Sequence, residues 1–270
     1  MSALLALNME VMMKKERLDI ESKRYTEGGS LCAWYEYNYK FIGSEWLIQA
    51  LDYVMKDMER VTFISVSANK GSYEEDAFRE LSKKYKGKLN FVLSDLGGAE
   101  FYKDKEELHM NSNWLLYEKA DMPAENLTYQ HEIDIILDNK GAVWAKLNRG
   151  DIFQRKRRAI CLLEKYIEYL RNDESILLID CYEVKRMQLF KALCNPLKYK
   201  LLHGRIMEKR FIDYEEKSTY YYLKKAFKND KLLTECFDLL EPVPIKIGKQ
   251  DMRLAKISRK NLVRLVNNII

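Results

Sequence analysis

Between residues 61 and 180 of this 270-residue chain, short apolar runs alternate with longer amphipathic ones, an alternation that confines the chain to a layered α/β fold. Residues 61–67, 89–95, 114–119, 133–138 and 175–180 read as strands, the first nearly continuous in apolar and β-branched side chains, as in a strand buried on both faces. Residues 72–85 read as a helix with Ala77, Phe78, Leu81 and Tyr85 inward, closed by Lys86, Gly87 and Lys88. Residues 151–170 carry Ala159, Leu162, Leu163, Tyr166, Ile167 and Leu170 on one helical stripe, and Leu47, Ala50, Leu51, Val54 and Met58 form another behind a Ser44 cap. Strands separated by helices require right-handed crossovers and hence a parallel sheet. Beyond a helix around residues 184–194, two extended segments at 199–211 and 218–227, joined by the polar residues 213–217, read as a hairpin. The expected fold class is therefore α/β: a doubly wound, mostly parallel sheet with a C-terminal antiparallel hairpin. Residues 1–43 form an expected helical or lid segment, 44–227 the sheet domain and 228–270 a basic helical extension.

Composition narrows the function classes. With 47% apolar and 32% charged residues the chain can bury a substantial core, and no apolar run approaches the ~20 residues of a membrane helix. The first residues lack the basic lead of a secretory signal, so a cytoplasmic location is expected. Cys32, Cys161, Cys181, Cys194 and Cys236 are scattered and never spaced Cys-x-x-Cys, which argues against disulfides or a structural zinc and for small buried hydrophobes. Residues 241–270 hold seven Lys/Arg (Lys246, Lys249, Arg253, Lys256, Arg259, Lys260, Arg264) against Glu241 and Asp251, an excess equal to the whole chain's +5. Such a segment can attract phosphates or acidic partners, but with Leu254, Ile257, Leu262, Leu265, Val266 and Ile269 as a stripe the favoured reading is the wet face of a packed helix.

Carboxylates end several strands. Asp95 follows the second, Asp121 and Met122 follow the third, and Asp138 ends the fourth, while Ser65, Ser67, Asn69 and Gly71 lie where the first strand runs through a loop into its helix. In doubly wound sheets, ligands lie beyond the carboxyl ends of the strands, where the winding reverses. Five parallel strands followed by a hairpin resemble the class I S-adenosylmethionine-dependent methyltransferases, a resemblance spanning roughly residues 44–227. That family's first loop has the pattern acidic-x-Gly-x-Gly-x-Gly. Here the same register gives Ser65, Ser67, Asn69 and Gly71, so only the last glycine is present.

The resemblance implies S-adenosylmethionine as cofactor and S-adenosylhomocysteine as product, with Ser65, Ser67, Asn69, Gly71, Asp95, Asp121, Met122 and Asp138 as the cofactor-binding set. It implies further that Asp95 accepts the ribose hydroxyls, that Asp121 pairs with the adenine amino group while Met122 packs on the ring, and that Asp138 borders the sulfonium. Each has a bland rival reading: Asp95 and Asp121 as helix or turn caps, residues 138–139 as a turn, Gly97 and Gly98 as loop punctuation. Trp34, Tyr35, Tyr37, Tyr39 and Trp46 suit either a lid or core packing, and Arg155, Lys156, Arg157 and Arg158 a solvated face. Methyl transfer from a sulfonium needs alignment and, for some acceptors, a base, so no fixed triad is required and no catalytic residue is assigned. His109, His131 and His203 lie far apart, and no metal site, phosphate loop or hydrolase elbow occurs. The Asp/Asn-Pro-Pro-aromatic motif of enzymes that methylate nucleobase amino groups is replaced here by Asp138, Asn139, Lys140 and Gly141. A small-molecule or peptide acceptor is the expectation, with RNA left open by the basic segment and a catalytically silent binding or scaffolding module as the alternative.

Overall fold

Side chains alternate between the two faces of the central strands, and on this chain both faces are apolar, so helices must cover both. The computed structural model describes residues 43–139, 141–148, 152–180, 239–247, 250–251 and 254–269. In chain order these form α1 (Glu45–Met55), β1 (Val61–Ser65), α2 (Ser72–Lys84), β2 (Leu89–Leu93), α3 (Gly98–Phe101), β3 (Leu108–Met110) and β4 (Asn113–Tyr117). There follow β5 (Ile135–Asp138), α4 (Ala142–Asn148), α5 (Ile152–Tyr169), β6 (Ile176–Asp180), β7 (Glu241–Pro242), β8 (Lys246–Ile247), β9 (Gln250–Asp251), β10 (Leu254–Ser258) and α6 (Arg259–Ile269). Phe63, Phe91, Ile135 and Leu178 point to the face covered by α1 and α2, while Ile64, Val92, Ile136 and Leu177 point to the face covered by α5 and α6. Phe63, Phe78 and Phe91 stack at 4.5 and 5.5 Å between ring centroids at the centre of the first layer.

Among the described residues the main sheet has eight strands in the order β3-β4-β2-β1-β5-β6-β10-β7. β4, β2, β1, β5 and β6 are parallel neighbours, and β10 and β7 add an antiparallel pair at one edge. Five parallel strands with an antiparallel pair beyond them match the doubly wound, mostly parallel sheet expected from the sequence. The chain winds outward from β1 through β2 to β4, then returns to β5 on the other side of β1. The winding therefore reverses between β1 and β5, which locates the ligand crevice of such a sheet at their carboxyl ends.

Several boundaries differ from the sequence reading. The expected helix at 184–194 and the hairpin segments at 199–211 and 218–227 lie outside the described residues. Among the described residues an antiparallel edge is supplied by residues 241–258, and Leu254 and Ile257, expected on a helix, sit on β10, with the helix starting only at Arg259. β10 is flanked by β6 and β7, so Leu254 is buried on one face and Ala255 and Ile257 on the other, and a three-residue apolar spacing served strand and helix alike. A short strand missed in the sequence, β3, pairs antiparallel with β4 through Asn111 and Ser112, whose φ values of 51° and 62° make a two-residue hairpin turn without glycine. Ser44 stands at the start of α1 but makes no side-chain cap; its carbonyl takes the Leu47 and Ile48 N–H groups. Cys161, expected buried, is exposed on α5, and the other cysteines fall outside the described residues.

If β10 is an interior strand, a charge on its buried face cannot be accommodated. Ile257→Asp is expected to cost more than about 3 kcal/mol, read as a loss of the cooperative unfolding transition in urea, whereas Lys260→Asp on the exposed side of α6 should leave the midpoint nearly unchanged. Equal behaviour of the two variants would place residues 254–258 outside the sheet.

Candidate functional site at the carboxyl ends of the parallel strands

Beyond Ser65 the backbone continues the ladder for a few more bonds before the strands separate: Val66 N–H donates to Leu137 O (3.1 Å), Ser94 N–H to Ser65 O (2.9 Å) and Ala68 N–H to Ser94 O (3.2 Å). The loop then turns sharply. Asn69 adopts φ 52° and Gly71 φ 76°, both left-handed. Asn is among the few residues with a side chain that tolerate this region, so the loop keeps a glycine-like path at the second glycine position of the resembled pattern. At Gly71 there is no such latitude, because an added Cβ would lie 2.7 Å from Leu93 Cδ1.

Asp95 is the hub of the site. It is 1% exposed, and its Oδ2 accepts the Asn69 N–H (2.8 Å) while its Oδ1 accepts the Gly97 N–H (2.9 Å). Its carbonyl oxygen takes the N–H of Gly98 (3.2 Å) and of Met122 (3.0 Å). Burial pushes the Asp95 carboxyl up to about 6, against the pull of the Gly97 and Asn69 N–H groups and with a smaller push from Asp121. Asp121 is half-buried and its Oδ1 accepts the Ala99 N–H (3.0 Å) at the start of α3. Gly98 is more than loop punctuation: a Cβ there would lie 2.3 Å from Ala120 O, so the backbones after β2 and β4 are in direct contact. Met122 is partly buried against the core.

On the other side of β1, Asp138 is also 1% exposed, and it accepts from Gly141 N–H (3.1 Å), Val143 N–H (2.9 Å) and the Tyr166 hydroxyl (2.8 Å). It caps α4 and anchors α5, and burial together with the Asp138 charge drives the Tyr166 hydroxyl well above its ordinary value. Gly141 packs on Ser67, where a Cβ would fall 2.1 Å from the serine Oγ. The structure thus brings Ser65, Ser67, Asn69, Gly71, Asp95, Asp121, Met122 and Asp138 to one edge of the sheet, with the carboxylates already engaged by backbone donors.

One residue of the site was not singled out in the sequence. Glu74, in the first turn of α2, is 4% exposed and its Oε1 accepts the Ser65 hydroxyl at 2.8 Å. Burial lifts its carboxyl to about 7, opposed by the Ser65 bond and by a backbone N–H, and raised a little further by Asp95 and Glu75. Within the run Glu74, Glu75, Asp76 it looks like a solvated helix start; the signal available was its position four residues ahead of the inward Phe78. Other candidates recede. Trp46 is core, edge-on to Tyr73 at 5.5 Å, and His131 Nδ1 lies 3.1 Å from Leu170 O, a structural contact. Arg157 and Arg158 are exposed, while Trp34, Tyr35, Tyr37, Tyr39 and His203 lie outside the described residues. No group of His, Cys, Asp and Glu among the described residues is arranged to hold a metal ion.

No protein-family model matches the chain, and no curated protein matches it. Among solved structures it is similar to the plantazolicin methyltransferase BpumL in complex with S-adenosylhomocysteine, at 13% identity and TM-score 0.42 over 91% of this chain and 99% of that one. It is also similar to the Burkholderia thailandensis 1,6-didemethyltoxoflavin-N1-methyltransferase with bound 1,6-didemethyltoxoflavin and S-adenosylhomocysteine, at 13% identity and TM-score 0.35; the chain spans 62% of that protein's length. The fold assignment rests on the strand order and pairing of the chain's own sheet.

Two outcomes follow from this geometry. Gly71→Ala is expected to lose about 1–3 kcal/mol by urea unfolding, from the left-handed φ and the Leu93 contact, whereas Asn69→Gly should stay within about 1 kcal/mol of the parent. The second concerns pH. Glu74 rises from 4.5 to about 7 and Asp95 from 3.8 to about 6 on folding, so in those windows the native state holds more protons than the unfolded one. Stability is then fully present below the unfolded values and falls as pH rises through the folded ones. The Glu74 part is on the order of 3 kcal/mol, so Glu74→Gln should melt higher than the parent at about pH 8 and close to it at about pH 4. Parallel melting curves across that range would show that the carboxyl is not carried buried.

Proposed function

We propose that this chain is an S-adenosylmethionine-dependent methyltransferase acting on a small-molecule or peptide acceptor. The observation that carries the reading is the placement of a left-handed loop and three carboxylates at the carboxyl ends of the parallel strands: Asp138 ends β5 beside the reversal point, Asp95 follows β2 and holds the loop through the Asn69 N–H, and Asp121 follows β4 and holds the start of α3. A doubly wound sheet presents a nucleoside-shaped ligand with backbone donors from the first loop and acceptors from the second strand end, and both are here.

The residues fit such a cofactor. A carboxylate has about four acceptor positions, and Asp95 uses two on Asn69 and Gly97, leaving capacity for ribose hydroxyls. Asp121 and the half-buried Met122 thioether follow β4 directly, with the Met122 N–H fixed on Asp95, which suits an adenine ring. A glutamate oxygen beneath the first loop has no hydrogen-bond partner among the described residues. When bound, the cofactor supplies an activated methyl on a sulfonium. The chain's part is to hold and align it and to exclude water, and alignment alone supplies much of the acceleration in such a displacement.

The acceptor reading follows from the segment after β5, where Asp138 is committed to α4 and to Tyr166 and no nucleobase motif occurs. Two of the basic residues that favoured RNA are engaged within the fold: Lys256 pairs with Glu241 (3.0 Å) and lies over the Tyr53 ring, and Arg259 pairs with Asp173 (2.8 Å).

Calorimetric titration of the full chain with S-adenosylmethionine and S-adenosylhomocysteine tests the reading. Expected is one saturable site per chain, with a rise in melting temperature worth about 2.7 kcal/mol when ligand is at roughly a hundred times its dissociation constant. A folded protein giving no heat and no thermal shift at about 1 mM of either ligand, where even binding of only ~4 kcal/mol would register, leaves the silent scaffold as the sole reading.

A further inference from the structure

Two buried carboxyl groups stand together beneath the 66–71 loop, and neither forms an ion pair among the described residues. Glu74 reaches back from the first turn of α2 to the end of β1, where Ser65, itself buried, holds its Oε1. Its Oε2 is enclosed and has no hydrogen-bond partner among the described residues. Asp95 bears on it from the end of β2, and neither forms an ion pair among the described residues. The neighbouring Glu75, by contrast, is paired with Lys105 at 2.6 Å. Buried acids are ordinarily paired or fully hydrogen-bonded, so a carboxyl oxygen orphaned among the described residues calls for a partner. A ligand group with positive charge and N–H donors would satisfy it.

We propose that Glu74, positioned by the Ser65 hydroxyl, is the acceptor for the α-ammonium at the amino-acid end of the cofactor; this rests on the methyltransferase reading above. An ammonium offers three donors and a full charge to an acid whose Oε2 has no donor and which has no ion-pair partner among the described residues. In the ligand-free chain burial keeps Glu74 near neutrality, and the arriving cation draws it to its ionised form, which the N-terminal turn of α2 also favours. Among the described residues, the groups acting on Glu74 are Ser65 on β1, Asp95 beyond β2 and Glu75 on α2, which pairs with Lys105, and Tyr117 on β4 lies within their field.

The test is a comparison of two ligands on two proteins by calorimetry: S-adenosylhomocysteine and its deamino analogue, in which hydrogen replaces the α-ammonium, each titrated into the parent and into Glu74→Gln. The expected result is a loss of about 10- to 100-fold in S-adenosylhomocysteine affinity in Glu74→Gln, with the deamino analogue weak on both proteins and unchanged by the substitution. An equal loss for both ligands, or none for either, overturns the ammonium assignment while leaving the methyltransferase reading intact. Failure of the parent to bind S-adenosylhomocysteine overturns that reading, and this inference with it. Should Glu74→Gln not fold, the parent alone decides: its preference for S-adenosylhomocysteine over the deamino analogue must shrink as pH falls below about 7, and a pH-independent ratio overturns the proposal.

Discussion

The Asp95 carboxylate, buried and shared between the backbone N–H groups of Asn69 and Gly97, is the contact on which the rest of the site depends. It fixes where the first loop can go, because Asn69 holds its left-handed turn at the point where its N–H is captured. Through its carbonyl oxygen the same residue fixes Met122, and through Met122 the chain leaving β4. In a low-dielectric setting these bonds reinforce one another, and removing the acceptor would strand several donors at once. A carboxyl pushed up to about 6 is nevertheless an expensive hub compared with a neutral amide, and its burial lowers the stability of the ligand-free fold above that pH.

The five parallel strands could be read in the sequence because each is buried on at least one face, and the central ones on both, and therefore appears as a short apolar run bounded by polar turns. The same cause hid β10. A strand enclosed by β6 and β7 needs no alternation, and Leu254 with Ile257 matched a helical stripe that Leu262, Leu265 and Val266 genuinely continue in α6. β3 was invisible for a different reason. Its turn uses Asn111 and Ser112 at positive φ, where sequence reasoning looks for glycine.

The site was half legible. Asp95, Asp121 and Asp138 could be placed at strand ends by counting, but the choice between cap and ligand contact could not be made by position, and the structure shows each of them accepting backbone N–H groups. The two readings are not exclusive for a carboxylate with spare lone pairs. Ser65 read as an acid missing from the loop. The structure returns a carboxylate to that serine from Glu74, nine residues on, a contact made by the geometry of a helix folding back over its own loop and so absent from any local pattern.

The choice between an enzyme and an inert scaffold turns on what the fold tolerates without a ligand. A scaffold gains nothing from Glu74: a glutamine of the same shape could keep the Ser65 bond, and the repulsion from Asp95 would vanish. The loop likewise could be anchored by any acceptor at the end of β2, yet it is anchored by a second buried acid. Two buried carboxyls that carry hydrogen bonds but no ion pair among the described residues make the empty site less stable than it need be. That deficit is what a cationic ligand would relieve on binding, so the arrangement favours a protein whose resting fold is completed by what it holds.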